Sequence, residues 1–358
     1  MNNPTPILST SQIREVERVA LEQPNTPSLM EQAGLAAATI AQEKMLTCAD
    51  QRILVLAGPG NNGGDALVAA RHLKLWGYHV TVIFTGSESK FSSEAKEALE
   101  KWFAVNGTIA QHIPTTQQWD IIIDGLFGIG LSATRPLNED YQALISTINQ
   151  MELPILSLDV PSGLDADTGN IAGAIIKATI TATFIGLKPG LLTHDGCNYS
   201  GRIILCNLGL NPTTLVESHS WVLNFTFIQS HLPAPRQMNS HKGTYGSVGV
   251  IGGAAGMVGA ALLAGSAALK LGAGRVYIGL IANESVYVDV KQPELMLHPI
   301  DDLYELDHIN TLIVGPGLGT ELAACIYLEK ALRRSIPIIL DADALNLIAR
   351  YPELQEIL

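Results

Sequence analysis

The chain is poor in cysteine, in aromatic residues and in cations, and each scarcity removes a class of function. Its four cysteines, Cys48, Cys197, Cys206 and Cys325, form no CxxC pair and no metal-ligand spacing. That excludes a disulfide framework and a zinc module, and reads as reduced thiols in a cytoplasmic protein. Lys and Arg number 22 against 34 Asp and Glu, a formal net charge of -12. So acidic a chain lacks the basic face that nucleic acid needs. Phosphate-bearing small molecules stay open, because backbone N–H groups hold phosphate without net positive charge. The polar, repeatedly charged start from Met1 to Gln23 resembles no secretory leader. Long uncharged runs are also scarce. The most extended, Val248 to Leu269, is broken by glycines and lacks an aromatic belt. It reads as a strand, a glycine turn and a helix, so no membrane partner is expected.

What is present is a well-filled α/β pattern. The composition is 47% hydrophobic and 16% charged, which supplies cores and argues against disorder. At 358 residues the prior is two domains. Apolar strand candidates at Ile53–Ala57, Val80–Phe84, Ile121–Ile123, Ile155–Leu158, Ala182–Ile185 and Ile203–Leu205 alternate with helix candidates. The clearest helices are Asp65–Trp76, Ser93–Val105 and Glu139–Asn149. Continuous apolar strands between helices predict a parallel sheet covered on both faces, a Rossmann-like doubly wound domain over residues 1–215. The polar stretch from Asn211 to Ser220 reads as a linker. A second α/β unit is expected over 221–358, with strands Ser247–Ile251, Val276–Leu280, Thr311–Val314 and Ile338–Leu340.

Three polar, glycine-flanked segments follow strands of the first domain. Ile53–Ala57 runs into Gly58-Pro59-Gly60-Asn61-Asn62-Gly63-Gly64-Asp65; Ile121–Ile123 ends on Asp124-Gly125; Ile155–Leu158 ends on Asp159-Val160-Pro161-Ser162-Gly163. Open parallel sheets bind ligands outside the carboxyl ends of their strands, so the three describe one site for an anionic, nucleotide-like ligand. The first turn lacks the Lys-Ser/Thr of a P-loop and the spacing of GxGxxG. Its glycines admit a ligand to the backbone, and the helix that follows favours an anion at its N-terminus. Asp124 and Asp159 together with Asn62 and Ser162 form an all-oxygen set suited to a hard cation. Lys188, between glycines after another strand, is either a plain exposed lysine or a partner for Asp159 in acid–base work.

Leu29-Met30-Glu31-Gln32-Ala33-Gly34, the turn at 58–65, Asp124-Gly125-Leu126-Phe127-Gly128-Ile129-Gly130 and the segment from Asp159 to Gly169 resemble the NAD(P)H-hydrate epimerase family. The resemblance implies interconversion of the R and S epimers of hydrated NADH and NADPH (NADHX and NADPHX). It implies a potassium ion at Asn62, Asp124 and Ser162. It places substrate contacts on Asn61, Asn62, Gly63, Gly64 and Asp65, on Gly128, Ile129, Gly130, Leu131, Ser132, Ala133 and Thr134, and on Asp159. Asp159 is then the catalytic acid–base residue, with Lys188 as its partner.

Lys242-Gly243-Thr244-Tyr245-Gly246, Val250-Ile251-Gly252-Gly253, Gly315-Pro316-Gly317-Leu318-Gly319 and Asp341-Ala342-Asp343-Ala344-Leu345-Asn346 are similar to the ADP- or ATP-dependent NAD(P)H-hydrate dehydratases. Those have a ribokinase-like fold, and Ala261 and Gly317 match positions that contact the hydrate. The family continues to a His-Pro segment, a lysine-glycine loop and a Gly-Thr-Gly-Asp turn, none of which follows Asn346. The expectation is therefore an incomplete ribokinase-like half without dehydratase activity. Rival readings are a non-catalytic nucleotide-binding or assembly module, an NAD-dependent dehydrogenase and a sugar or vitamin kinase. A homo-oligomer is the base-rate expectation for such enzymes.

Overall fold

The computed structural model describes residues 5–22, 27–48, 50–86, 91–114, 117–282 and 288–358. The chain divides into two compact units, Met1–Ser230 and His231–Leu358.

In the first unit seven parallel strands line up in the order Ile109–Ala110, His79–Phe84, Arg52–Ala57, Ile121–Gly125, Ile155–Leu158, Ile180–Phe184 and Arg202–Cys206. The period of two sorts their side chains onto two faces. Ile53, Val55, Ile121, Ile123, Leu156 and Leu158 enter one apolar cluster, while Leu54, Leu56, Ile122 and Ile155 enter another. Both faces are covered, which is why these strands read as unbroken apolar runs. Truncating one such side chain to alanine costs about 2–5 kcal/mol.

The helices on one face approach closely because their contact positions are small. Leu29–Lys44 buries Ala33, Gly34, Ala37, Ala38 and Ala41 at helical spacing. A Cβ on Gly34 would lie 2.4 Å from that of Val68, in the helix Asn61–Leu75. The preceding helix, Thr10–Leu21, is set by a capping box in which Ser9 and Gln12 satisfy each other's backbone N–H groups.

Two sequence expectations shift. The helix expected from Asp65 already begins at Asn61, with Gly60 as its N-cap. Gly63 and Gly64 are therefore helical residues chosen for clearance: a Cβ at 63 would sit 2.0 Å from the Gly58 carbonyl oxygen, and one at 64 would sit 2.6 Å from Met30 Sδ. Ser220–Trp221 pairs antiparallel with Pro6–Ile7, which carries the first unit through and past the linker read from Asn211 to Ser220.

The second unit holds five parallel strands, ordered Met296–Pro299, Arg275–Leu280, Ser247–Gly252, Thr311–Val314 and Ile338–Leu340. The sequence reading missed the edge strand Met296–Pro299, whose short run ends on a proline. The run from Val248 resolves into the strand Ser247–Gly252 and the helix Val258–Leu271. Among the described residues no helix is long and apolar enough to cross a membrane. The whole is α/β, built on parallel sheets.

Candidate functional site

After Arg52–Ala57 the first unit's chain adds strands outward on one side, then returns to add Ile121–Gly125 on the other. The loops leaving these two neighbouring strands part at this switch point and open a crevice. The crevice is pinned at its base, where Gly58 N donates to the Gly125 carbonyl at 3.0 Å. A Cβ on Gly58 would fall 1.8 Å from the Leu126 carbonyl oxygen, so only glycine fits there. A cavity of about 420 Å³ occupies the crevice, with Glu17, Asn62, Asp65, Gly128 and Asp159 in its wall. That is the size range of small-molecule sites.

Asp159 follows the strand Ile155–Leu158 in a left-handed conformation, φ 65°. Its N–H donates to the Ala182 carbonyl at 2.7 Å, which fixes the turn. Its Oδ1 accepts from Lys188 Nζ. Lys188 is 0% exposed, and the same ammonium donates to Thr183 Oγ1 at 2.9 Å and to the Phe184 carbonyl at 2.8 Å. Of the two readings left open for this lysine, the structure shows the buried, paired one. All three N–H donors of the ammonium are engaged.

Asp124 is fully buried and saturated. Its Oδ1 accepts from Ser162 Oγ at 2.6 Å and Leu126 N–H at 3.3 Å; its Oδ2 accepts from Ser157 Oγ at 2.8 Å and Ser162 N–H at 2.9 Å. Burial pushes its carboxyl up from the ordinary aspartate range, against the downward pull of these bonds.

Asn62 is the opposite case. Its side chain is 7% exposed, yet neither Oδ1 nor Nδ2 has a partner. Leaving such groups unpaired costs about 1–3 kcal/mol each, so the site is built for something that pairs them. A Cβ on Gly128 would come 3.3 Å from Asp159 Oδ2 and 3.4 Å from Asn62 Cγ. The missing side chain leaves room between the two. Among the described residues no group of three or more His, Cys, Asp and Glu can hold a metal ion. One carboxylate with an amide and a hydroxyl is a donor set for a large, hard, weakly charged cation, not for zinc.

The other expected contacts divide. Asn61, Gly128, Ile129, Gly130 and Leu131 line the cavity. Ser132, Ala133 and Thr134 do not: the two hydroxyls bond each other at 2.9 Å, and Ala133 N–H is taken by Asp165 Oδ2 at 2.9 Å. Gly63 and Gly64 are likewise turned into helix packing. Ala261 and Gly317 belong to the second unit. There Gly253 N–H donates to the Pro316 carbonyl, Ala254 N–H donates to the Gly317 carbonyl at 2.7 Å, and Ala261 lies against Gly253.

Sequence reasoning missed Glu17 and the character of Asp65. Burial, then the charges of Asp159 and Glu17, hold the Asp65 carboxyl well above its ordinary range. Glu17 is raised as well, first by burial and next by Asp159. The available signal was spacing: Glu17 lies one helical turn from Ile13, on the edge of the face that buries Ile13, Val16 and Ala20.

The comparisons with known proteins follow this division into units. The family model "YjeF-related protein N-terminus" matches residues 26–190, and that of NAD(P)H-hydrate dehydratase matches 248–357. The bifunctional NAD(P)H-hydrate repair enzyme Nnr of Coxiella burnetii is 38% identical over 98% of this chain and 73% of its own. The chain belongs to the bifunctional NAD(P)H-hydrate repair enzymes. The relative from Escherichia coli, with the same description, is 38% identical over 84% of this chain; the match spans 59% of that protein's length. Of the solved structures, yeast YNL200c shares 27% identity at a TM-score of 0.47, covering 61% of this chain and 99% of that one. The ADP/ATP-dependent NAD(P)H-hydrate dehydratase from Bacillus subtilis shares 34% at a TM-score of 0.30, covering 34% and 45%. The expectation of an incomplete, inactive dehydratase half finds no support in these matches. The dehydratase model matches 248–357, and the repair enzymes that resemble the chain are bifunctional.

Proposed function

We propose that the first unit interconverts the R and S epimers of hydrated NADH and NADPH, and that the second dehydrates the S epimer using ADP or ATP. The observation that carries the first half is the polar wall of the cavity: an ion-paired Asp159 beside an Asn62 amide with neither end satisfied. Asn62 Oδ1 is open to a potassium ion, and Asp124 and Ser162 would help hold it by exchanging part of their mutual hydrogen bonding for it. The ion would order the surrounding loops and offset the charge of the substrate's diphosphate.

The substrate carries its hydroxyl on the ring carbon next to the nicotinamide nitrogen. Inversion there needs a proton delivered to the departing oxygen and one removed from the water that adds to the opposite face. Asp159 would transfer the proton through Oδ2, the oxygen facing Gly128. Lys188 has no N–H left to give. Its part is to hold Oδ1 and so aim the carboxylate. Gly60, Asn61 and the loop from Gly128 to Leu131 surround the ligand and restrict water.

The deciding experiment follows separated R and S epimers of hydrated NADH by chromatography, with and without potassium. Equilibration faster than the spontaneous rate is expected, and its loss in Asp159→Asn. No acceleration by folded protein would favour a non-catalytic nucleotide-binding module. For the second unit, the S epimer is supplied with ADP or ATP and the return of reduced-nicotinamide absorbance is followed.

A further inference from the structure

An epimerase that removes and returns a hydroxyl on opposite faces of a ring needs acid–base groups on both sides. The first unit's cavity contains more carboxyls than Asp159. Glu17, from the helix Thr10–Leu21, shares its wall with Asp65 and Asp159, and among the described residues the Glu17 carboxyl makes no hydrogen bond or ion pair. That a ligand belongs there is indicated independently by Asn62, more than nine-tenths buried in the same wall with both polar ends unpaired. We propose that Glu17 is the second catalytic acid–base residue of the epimerisation, acting on the substrate together with Asp159. The inference rests on the epimerase reading of this unit.

The two carboxyls sit in contrasting surroundings. Asp159 is bonded to a fully buried ammonium. Glu17 is half-buried and faces Asp159, Asp65 and Glu94, with the cations Arg14, on its own helix, and Lys188 acting against them. Burial and the Asp159 charge favour the protonated form of Glu17, so it enters as the proton donor. In one direction Glu17 gives its proton to the C6 hydroxyl, the C–O bond breaks with its electron pair going to oxygen, and water leaves. The ring cation, stabilised by the adjacent nitrogen, takes water from the other face. As the new C–O bond forms, that water's proton passes to Asp159. The reverse epimerisation exchanges the two roles, and solvent resets the proton between turnovers.

The test compares wild type, Glu17→Gln and Glu17→Asp on separated epimers across pH. Removing one acid–base group lowers kcat by roughly 100-fold or more. For Glu17→Gln we expect that loss with KM changed by less than about threefold, and disappearance of the alkaline limb of the wild-type pH profile. Glu17→Asp should restore part of the rate and the limb. Wild-type kcat and pH dependence in Glu17→Gln would overturn the role. If Glu17→Gln fails to fold, the wild-type profile decides: a single ionisation, with no alkaline limb, overturns it equally. A wild type without epimerase activity would sink the underlying reading; an active wild type indifferent to residue 17 sinks this inference alone.

Discussion

The two units share an architecture and prepare their strand ends in different ways. Among the described residues, the buried polar and charged side chains all lie in the first unit except Ser247. Its crevice is preset by a carboxylate–ammonium pair and by Asp124, clamped through four bonds. The second unit's strand ends instead carry backbone: Gly253, Gly315, Gly317 and Gly319 all have positive φ, at 64°, 128°, 60° and 78°. Fixed charge suits proton transfer, which needs a group of set orientation. The glycine turns of the second unit are tied together through their amides: Gly253 N–H donates to the Pro316 carbonyl, Gly315 N–H to that of Ile251 and Gly319 N–H to Asp343 Oδ2. What they offer a ligand is close approach to backbone without side chains. One fold class thus supports two chemistries according to what stands at the ends of its strands.

That contrast can be broken from either side. Asp159→Asn should cost the first unit roughly 10²–10⁴ in epimerisation, leaving nucleotide-dependent dehydration of the S epimer unchanged. A parallel loss of dehydration would show the units to be coupled. Lys188→Met removes one partner of a buried pair, which typically destabilises by about 3–5 kcal/mol. Chemical denaturation should show the first unit's transition moved to lower denaturant and the second unit's unmoved. Gly317→Val is the mirror experiment: φ 60° disfavours a β-branched residue, and its Cβ would meet the Met257 carbonyl oxygen at 2.6 Å. Dehydration should fall with epimerisation intact. Gly128→Ala places a methyl between Asp159 and Asn62, so substrate binding should weaken by roughly tenfold, about 1.4 kcal/mol, with little change in melting temperature.

The smallest effect comes from Asp65. Its carboxyl is raised in the folded protein, so the native state binds more protons than the unfolded chain between the two pKa values. Stability therefore falls as pH rises from the ordinary carboxylate range through the raised value. Asp65→Asn should melt later than wild type at about pH 8 and lose that advantage toward about pH 4, where both forms carry a neutral side chain. Melting curves at the two ends check the sign.

Much of this was legible in sequence because local chemistry and global fold agree there. Unbroken apolar runs ending on aspartate announced buried parallel strands and their ligand-binding ends. The oxygen-bearing side chains of Asn62, Asp124, Asp159 and Ser162 could be read from residue type, but not that Asp124 is held by hydrogen bonds while Asn62 is left open. Other features depend on distances no pattern encodes. The conformation of Gly63 and Gly64 was misjudged, since a glycine needed for clearance inside a helix looks like one needed for a turn. Ser132, Ala133 and Thr134 share a loop with Gly128 but do not line the cavity: their hydroxyls bond each other and the Ala133 N–H is taken by Asp165. Glu17 is 142 positions before Asp159 and reaches the site only because the first helix packs across it. Lys188 could not be placed in advance either, because a buried lysine is credible only once its three acceptors are known.

Ile185, at the rim of the cavity, is 2% exposed and held at φ 67°. A β-branched residue pays for that conformation with about 1–3 kcal/mol, and glycine would not. Asp159 adopts the same backbone region at a smaller penalty, since aspartate tolerates it better. A library of variants enriched for heat resistance alone should nevertheless keep a large apolar residue at 185, where glycine would empty a core position. It should also keep an acidic one at 159, where glycine would leave the buried Lys188 ammonium unpaired; a second library would be enriched for turnover. Where the two kinds of enrichment disagree, the residues that persist only under demand for turnover mark the part of the chain kept for chemistry.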